Sequence, residues 1–141
     1  MRSRRIGRIV AAALVATFLM VGTPAVASAD PGGNPVYCGG WSHGFGFRFR
    51  ACVEFRTTRV DHRLEVQYLG SGTVGLYYSG SDYRVGDYWG DCTEQWGDSF
   101  YSGQSRSYYC STARISGYNY QTRGTIGDDS GLLASSPVIT G

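Results

Sequence analysis

Chemistry needs a nucleophile, a base, a metal ligand or a surface that a ligand can grip, and this chain has few candidates for each. Its histidines are His43 and His62, and its cysteines are Cys38, Cys52, Cys92 and Cys110. No two cysteines stand two to four residues apart and neither histidine falls at a ligand spacing, so the sequence gives no basis for a zinc site. Asp82, Asp87, Asp91, Glu94 and Asp98 crowd into seventeen residues with Arg84 as the one counter-charge, and Asp128-Asp129 follow later. Oxygen-rich runs of this kind suit calcium, but the D-x-D-x-D-G order of an EF-hand loop is missing. A solvated acidic surface is the expectation, with no metal and no other cofactor.

Gly97-Asp98-Ser99 resembles the start of the Gly-Asp-Ser-Gly-Gly segment that holds the nucleophile of trypsin-like serine proteases. Phe100 and Tyr101 stand where that segment has the glycines whose backbone shapes the oxyanion hole. The Gly-Asp-Ser-Leu esterases begin the same way but need a histidine near the C-terminus, and none follows His62. Asp98 and Ser99 therefore read as turn residues bonding local backbone. A nuclease built on Glu54, His43 or His62 with an arginine for phosphate has no spacing to define it, and the chain is expected not to be an enzyme.

The aromatic residues carry more information. Tyr77-Tyr78, Tyr88-Trp89, Phe100-Tyr101 and Tyr108-Tyr109 are adjacent pairs. Neighbours in a strand point to opposite faces, so one member of each pair leaves the core or meets a second layer. Exposed Tyr and Trp offer stiff apolar area with a polar tip, which serves both protein interfaces and stacking on sugar rings. Tyr83, Asp87, Tyr88, Trp89, Trp96 and Tyr101 are the expected ligand-binding residues, with acids and amides beside them to bond hydroxyls. This predicts a non-catalytic binding module for an extracellular glycan or protein. The alternative is an inhibitor of a secreted hydrolase, presenting Gly90 to Gly97 as a stiff loop pinned by Cys92.

These residues must be positioned by strands. From Phe45 to Arg56 the chain reads FGFRFRACVEFR, with Phe45, Phe47, Phe49, Ala51, Val53 and Phe55 alternating against Gly46, Arg48, Arg50, Cys52, Glu54 and Arg56. That is the period of a strand with one buried face. Val60 to Leu69 alternates again, with Val60, His62, Leu64, Val66 and Tyr68 on the apolar side and charges opposite. The spacing of turn residues then predicts strands over Thr73–Tyr78, Tyr83–Trp89, Arg106–Ile115 and Tyr118–Ile126, with a last edge strand over Val138–Thr140 and irregular structure after Trp89. The expected fold is all-β, an antiparallel sandwich or small barrel of six to seven strands.

Residues 1–29 read as a secretory signal: Arg2, Arg4, Arg5 and Arg8, an apolar run from Ile9 to Val21, then Ala27-Ser28-Ala29. Residues 30–141 form the single expected domain, secreted and extracellular. Without the leader, nine arginines face eleven acids for a net charge of −2, and no lysine remains. That removes the clustered positive surface a nucleic-acid partner needs. No membrane association is expected after cleavage, and a monomer is expected. Two disulfides suit export, and short loops favour Cys38–Cys52 and Cys92–Cys110 over the other pairings. Cys52 shares a face with Arg48 and Arg50, so either that disulfide lies outside the sheet or a β-bulge reverses the phase.

Overall fold

The computed structural model describes residues 27–29, 33–127 and 131–141. Residues 1–26 of the expected leader and the Asp128-Asp129 pair lie outside the described residues, whereas its last three, Ala27–Ala29, are described. The alternating stretch forms β4 (Phe47–Phe55), and its partner forms β5 (Arg59–Tyr68). They pair antiparallel without interruption from Phe47 opposite Tyr68 to Phe55 opposite Val60. The two apolar faces coincide, and Phe47, Phe49, Ala51, Val53, Val60, Leu64 and Val66 are buried. Phe45 is not part of the strand. It sits in the tight turn between β3 (Ser42–Gly44) and β4 and is 66% exposed.

Around this hairpin β1 (Ala27–Ala29), β2 (Pro35–Cys38), β3 and β8 (Ser105–Ala113) complete a six-stranded antiparallel sheet. The second sheet contains β6 (Thr73–Val85), β7 (Tyr88–Tyr101), β9 (Asn119–Ile126), β10 (Leu132–Ser135) and β11 (Ile139–Thr140). The architecture is an all-β pair of antiparallel sheets with both disulfides, Cys38–Cys52 and Cys92–Cys110. Phe47, Phe49, Leu64 and Val66 of the first sheet meet Leu76, Phe100, Ile126 and Ala134 of the second. A smaller cluster joins Val53, Phe55, Val60 and Tyr120.

The described strands number eleven rather than six or seven, for local reasons. Ser79 to Asp82 is no turn but the middle of β6, with a bulge between Ser81 and Asp82. Gly80 leaves room there for the Tyr78 ring, whose hydroxyl would stand 2.1 Å from an added Cβ, so the small residue accommodates a ring instead of a bend. The stretch after Trp89 is not irregular either. It pairs with β6 along a long hairpin closed by Gly86-Asp87, and Gly86 takes the positive φ that such a two-residue turn demands.

The first disulfide lies on the outer face of its sheet with no phase reversal in the β4–β5 ladder. Cys38 and Cys52 are directly opposed partners of β2 and β4, with Cα atoms 4.0 Å apart. The charges on that face are not simply solvated. Glu54 and Asp61 are 2% and 4% exposed beneath arginines. Arg56 reaches Glu54 at 2.8 Å and Asp61 at 2.5 Å, Arg59 reaches Asp61 at 3.0 Å, and Arg50 and Arg63 both pair with Glu65. Burial pushes the Asp61 carboxyl up, but hydrogen bonds from Ser111, Arg56 and Arg59 outweigh it and hold the group below the ordinary value. Trp41 caps the network, with Arg48 and Arg50 each about 4.5 Å from its ring centre.

Candidate functional site: the outer face of the β6–β7 hairpin

Strand alternation fails once in β6, and the failure builds the site. Leu76 and Ser79, three residues apart, are both buried toward the core. Between them Tyr77 and Tyr78 both meet the ring of Trp96 on β7, at 5.4 Å edge to face and at 4.7 Å tilted. Opposite the break Gly97 adopts φ +68, and the bridge expected between Tyr77 and Gly97 is missing from the ladder. A regular strand would have sent one tyrosine inward; here two rings gather on one tryptophan. Tyr77 is 69% exposed and Trp96 57%, so this apolar surface faces solvent.

Beside the platform lies a hollow of about 260 Å³, lined by Tyr78, Ser81, Asp82, Asp91, Thr93 and Glu94. At the bulge Cys92 is left without a ladder partner, so the register passes from Ser81 opposite Thr93 to Asp82 opposite Asp91 along the floor of the hollow. Partial burial, then the neighbouring Asp91 charge, raise the Asp82 pKa against the pull of Arg123. At the far rim Arg123 lies 4.0 Å over the Trp89 ring. The face therefore offers rings to stack on, carboxylates to accept hydrogen bonds and the Arg123 guanidinium to donate them.

The six residues expected to bind ligand do not form one group. Trp96 is the centre of the platform and Trp89 lies at its far rim. Tyr83 turns toward the interior, 5.3 Å from the His62 ring, and Tyr88 stands 6.1 Å beyond it, exposed. Asp87 occupies the hairpin tip and pairs with Arg84 at 3.4 Å. Tyr101 is exposed opposite Thr73 at the other end of β7, roughly 40 Å from Tyr88 at strand rise. The residues that join Trp96 in their place are Tyr77, Tyr78, Asp82, Asp91 and Glu94. The adjacent Tyr77-Tyr78 pair was the sequence signal for them.

Other chemical candidates are accounted for structurally. His62 is fully buried, with Nδ1 2.9 Å from Thr122 Oγ1 and Nε2 3.0 Å from Thr112 Oγ1. Burial lowers its pKa to about 4, so the ring is neutral at pH 7. His43 is exposed on β3 opposite Arg48. Asp98 accepts from the Tyr108 hydroxyl and pairs with Arg106 at 3.0 Å, while Ser99, its neighbour along the strand, is exposed. Burial and the Asp98 bond push the Tyr108 phenol up to about 12. Among the described residues, one set of possible metal ligands converges: Cys38, Cys52 and Glu65. Both of its sulfurs are consumed by the disulfide, so no thiolate is available there. Asp82, Asp91 and Glu94 do not come together at ion-binding distance. Gly90 to Gly97, expected as a loop, lies within β7.

Comparison with protein families, with characterised proteins and with solved structures returns no match.

Proposed function

We propose that this is a secreted, non-catalytic binding module that holds an extracellular glycan on the outer face of the β6–β7 hairpin. The observation that carries the reading is the Tyr77–Trp96–Tyr78 platform, exposed in water next to a hollow rimmed by Asp82, Asp91 and Glu94. A pyranose ring has apolar C–H faces and a girdle of hydroxyls. Stacking on Trp96 satisfies the first and the carboxylates accept from the second. The platform is fixed by a ladder on a rigid hairpin, so little ordering free energy is lost on binding. Two disulfides suit the oxidising compartment in which such a ligand is met.

The inhibitor alternative relies on a stiff protruding loop. Gly90–Gly97 is instead paired with β6, which favours the glycan reading. Retention on insoluble cell-wall polysaccharide, chitin and cellulose tests it. The protein is expected to sediment with at least one polymer and Trp96→Ala to remain in the supernatant. Equal behaviour of the two proteins on every polymer overturns the proposal.

A further inference from the structure

Trp89 and Trp96 stand seven residues apart on β7, an odd number that in an unbroken strand sends two side chains to opposite faces. The bulge reverses that outcome. The ladder runs Tyr78 opposite Trp96, Gly80 opposite Glu94, Asp82 opposite Asp91 and Arg84 opposite Trp89, with Cys92 skipped between Asp91 and Thr93. Cys92 and Thr93 both turn inward, the first to its disulfide with Cys110 on the other sheet and the second to the hydroxyl of buried Ser81. The two tryptophans therefore share the outer face. Six steps of β6, from Tyr78 to Arg84, separate them, or about 20 Å at strand rise.

The hollow rimmed by Asp82, Asp91 and Glu94 lies between them, so one line along the hairpin reads ring, carboxylates, ring. The far ring does not act alone. Arg123 on β9 is the ladder partner of Asp82, and its guanidinium lies 4.0 Å over Trp89, which holds a planar fork of donors at that end. At the near end Trp96 is exposed and backed by Tyr77 and Tyr78. Each end is a station of its own, and a single sugar unit touches only one of them.

Resting on the glycan reading, we propose that the ligand is a linear, unbranched polysaccharide lying extended along β7. One sugar stacks on Trp96, a later one is held by Trp89 and Arg123, and the hydroxyls between them donate to the carboxylates. A straight run of stations on one strand fits a chain whose sugar rings repeat in line, whereas a compact or branched glycan turns away before the second station. Once the first station is filled, the second contact is intramolecular, so affinity rises steeply when the chain is long enough to reach both. The ladder sets the spacing in advance, so the protein loses little freedom in meeting the chain.

The test is an NMR-detected titration of the purified protein, and of Trp89→Ala, Arg123→Gln and Trp96→Ala, with cello- and chito-oligosaccharides of two and of six units. The disaccharide reaches one station and the hexasaccharide both. In at least one series the hexasaccharide is expected to bind the parent at least about tenfold more tightly than the disaccharide. Trp89→Ala and Arg123→Gln are expected to bring the hexasaccharide back toward the disaccharide's affinity. Both should leave disaccharide shifts at Trp96 unchanged, which also shows that the variants are folded. Trp96→Ala is expected to weaken both lengths. Equal affinity of the two lengths, or full hexasaccharide affinity in Trp89→Ala, overturns the linear-chain proposal and leaves the glycan reading standing. Absence of binding by either length in both series overturns the glycan reading and this proposal with it.

Discussion

Tyr77 meets Trp96 edge to face at 5.4 Å on the outside of the β6–β7 hairpin, with both rings more than half exposed. An aromatic pair in that position is supported from beneath by Tyr78 and yet leaves apolar area to water, which core packing alone does not require. Replacing Trp96 with Ala is therefore expected to weaken glycan binding about tenfold or more, while the Tm moves little because the ring is not in the core. Affinity electrophoresis in polysaccharide-containing gels, run beside a thermal melt, measures both effects.

Gly80 offers a finer test, because it acts on the platform only through Tyr78. A methyl group at position 80 would press on the Tyr78 ring, whose hydroxyl lies 2.1 Å from the added atom. Gly80→Ala is expected to swing that ring away from Trp96 and lower retention several-fold, with a stability loss of about 1 kcal/mol from local overpacking. A variant that binds as well as the parent would show that Tyr78 does not support the platform.

His62 gives the fold a pH dependence whose sign is fixed. Its folded pKa, about 4, lies below the unfolded value of 6.5, so the unfolded chain takes up a proton first as pH falls. The contribution is fully present above pH 6.5 and is lost on acidification through about pH 4. Its total is about 3 kcal/mol, at roughly 1.4 kcal/mol per pH unit. Asp61, held below its ordinary 3.8, acts in the same direction at lower pH. Urea midpoints between pH 7 and 4 should fall along this slope, and His62→Gln should flatten it.

The disulfides close loops of similar size, with sequence separations of 14 and 18, but they join different things. Cys38–Cys52 links neighbours already paired in one sheet, whereas Cys92–Cys110 ties β7 of one sheet to β8 of the other. Removing either pair as a double Ser variant is expected to cost about 3 kcal/mol in urea unfolding. Loss of Cys92–Cys110 should also speed amide exchange in β7 and β8 selectively, since Asp98 with Arg106 and Tyr108 would be left to hold that seam.

Much of the fold was legible because β4 and β5 obey a strict period of two, and burying Phe47, Phe49 and Val53 on one side leaves no alternative face. The short Cys38–Cys52 spacing was legible for a related reason, as it brings direct ladder partners together. Gly80 and Ser81 misled because glycine and serine read as turn residues, whereas pairing with β7 sets their role: the Tyr78 ring folds over Gly80 to reach Trp96, and Ser81 bonds Thr93 across the ladder. The site was only half legible. Adjacent aromatics announced that some rings must leave the core, but the choice of Tyr77 over Tyr83 depends on the kink opposite Gly97. That kink is a property of the paired hairpin and has no local signature.

The most direct measurement is an amide and aromatic NMR titration of the protein with soluble chito- and cello-oligosaccharides. The glycan account predicts saturable shifts at Tyr77, Tyr78, Trp96, Asp91 and Glu94, and none on the opposite outer face around Arg50, Arg63 and Glu65. An unchanged spectrum, or shifts confined to that opposite face, would contradict it.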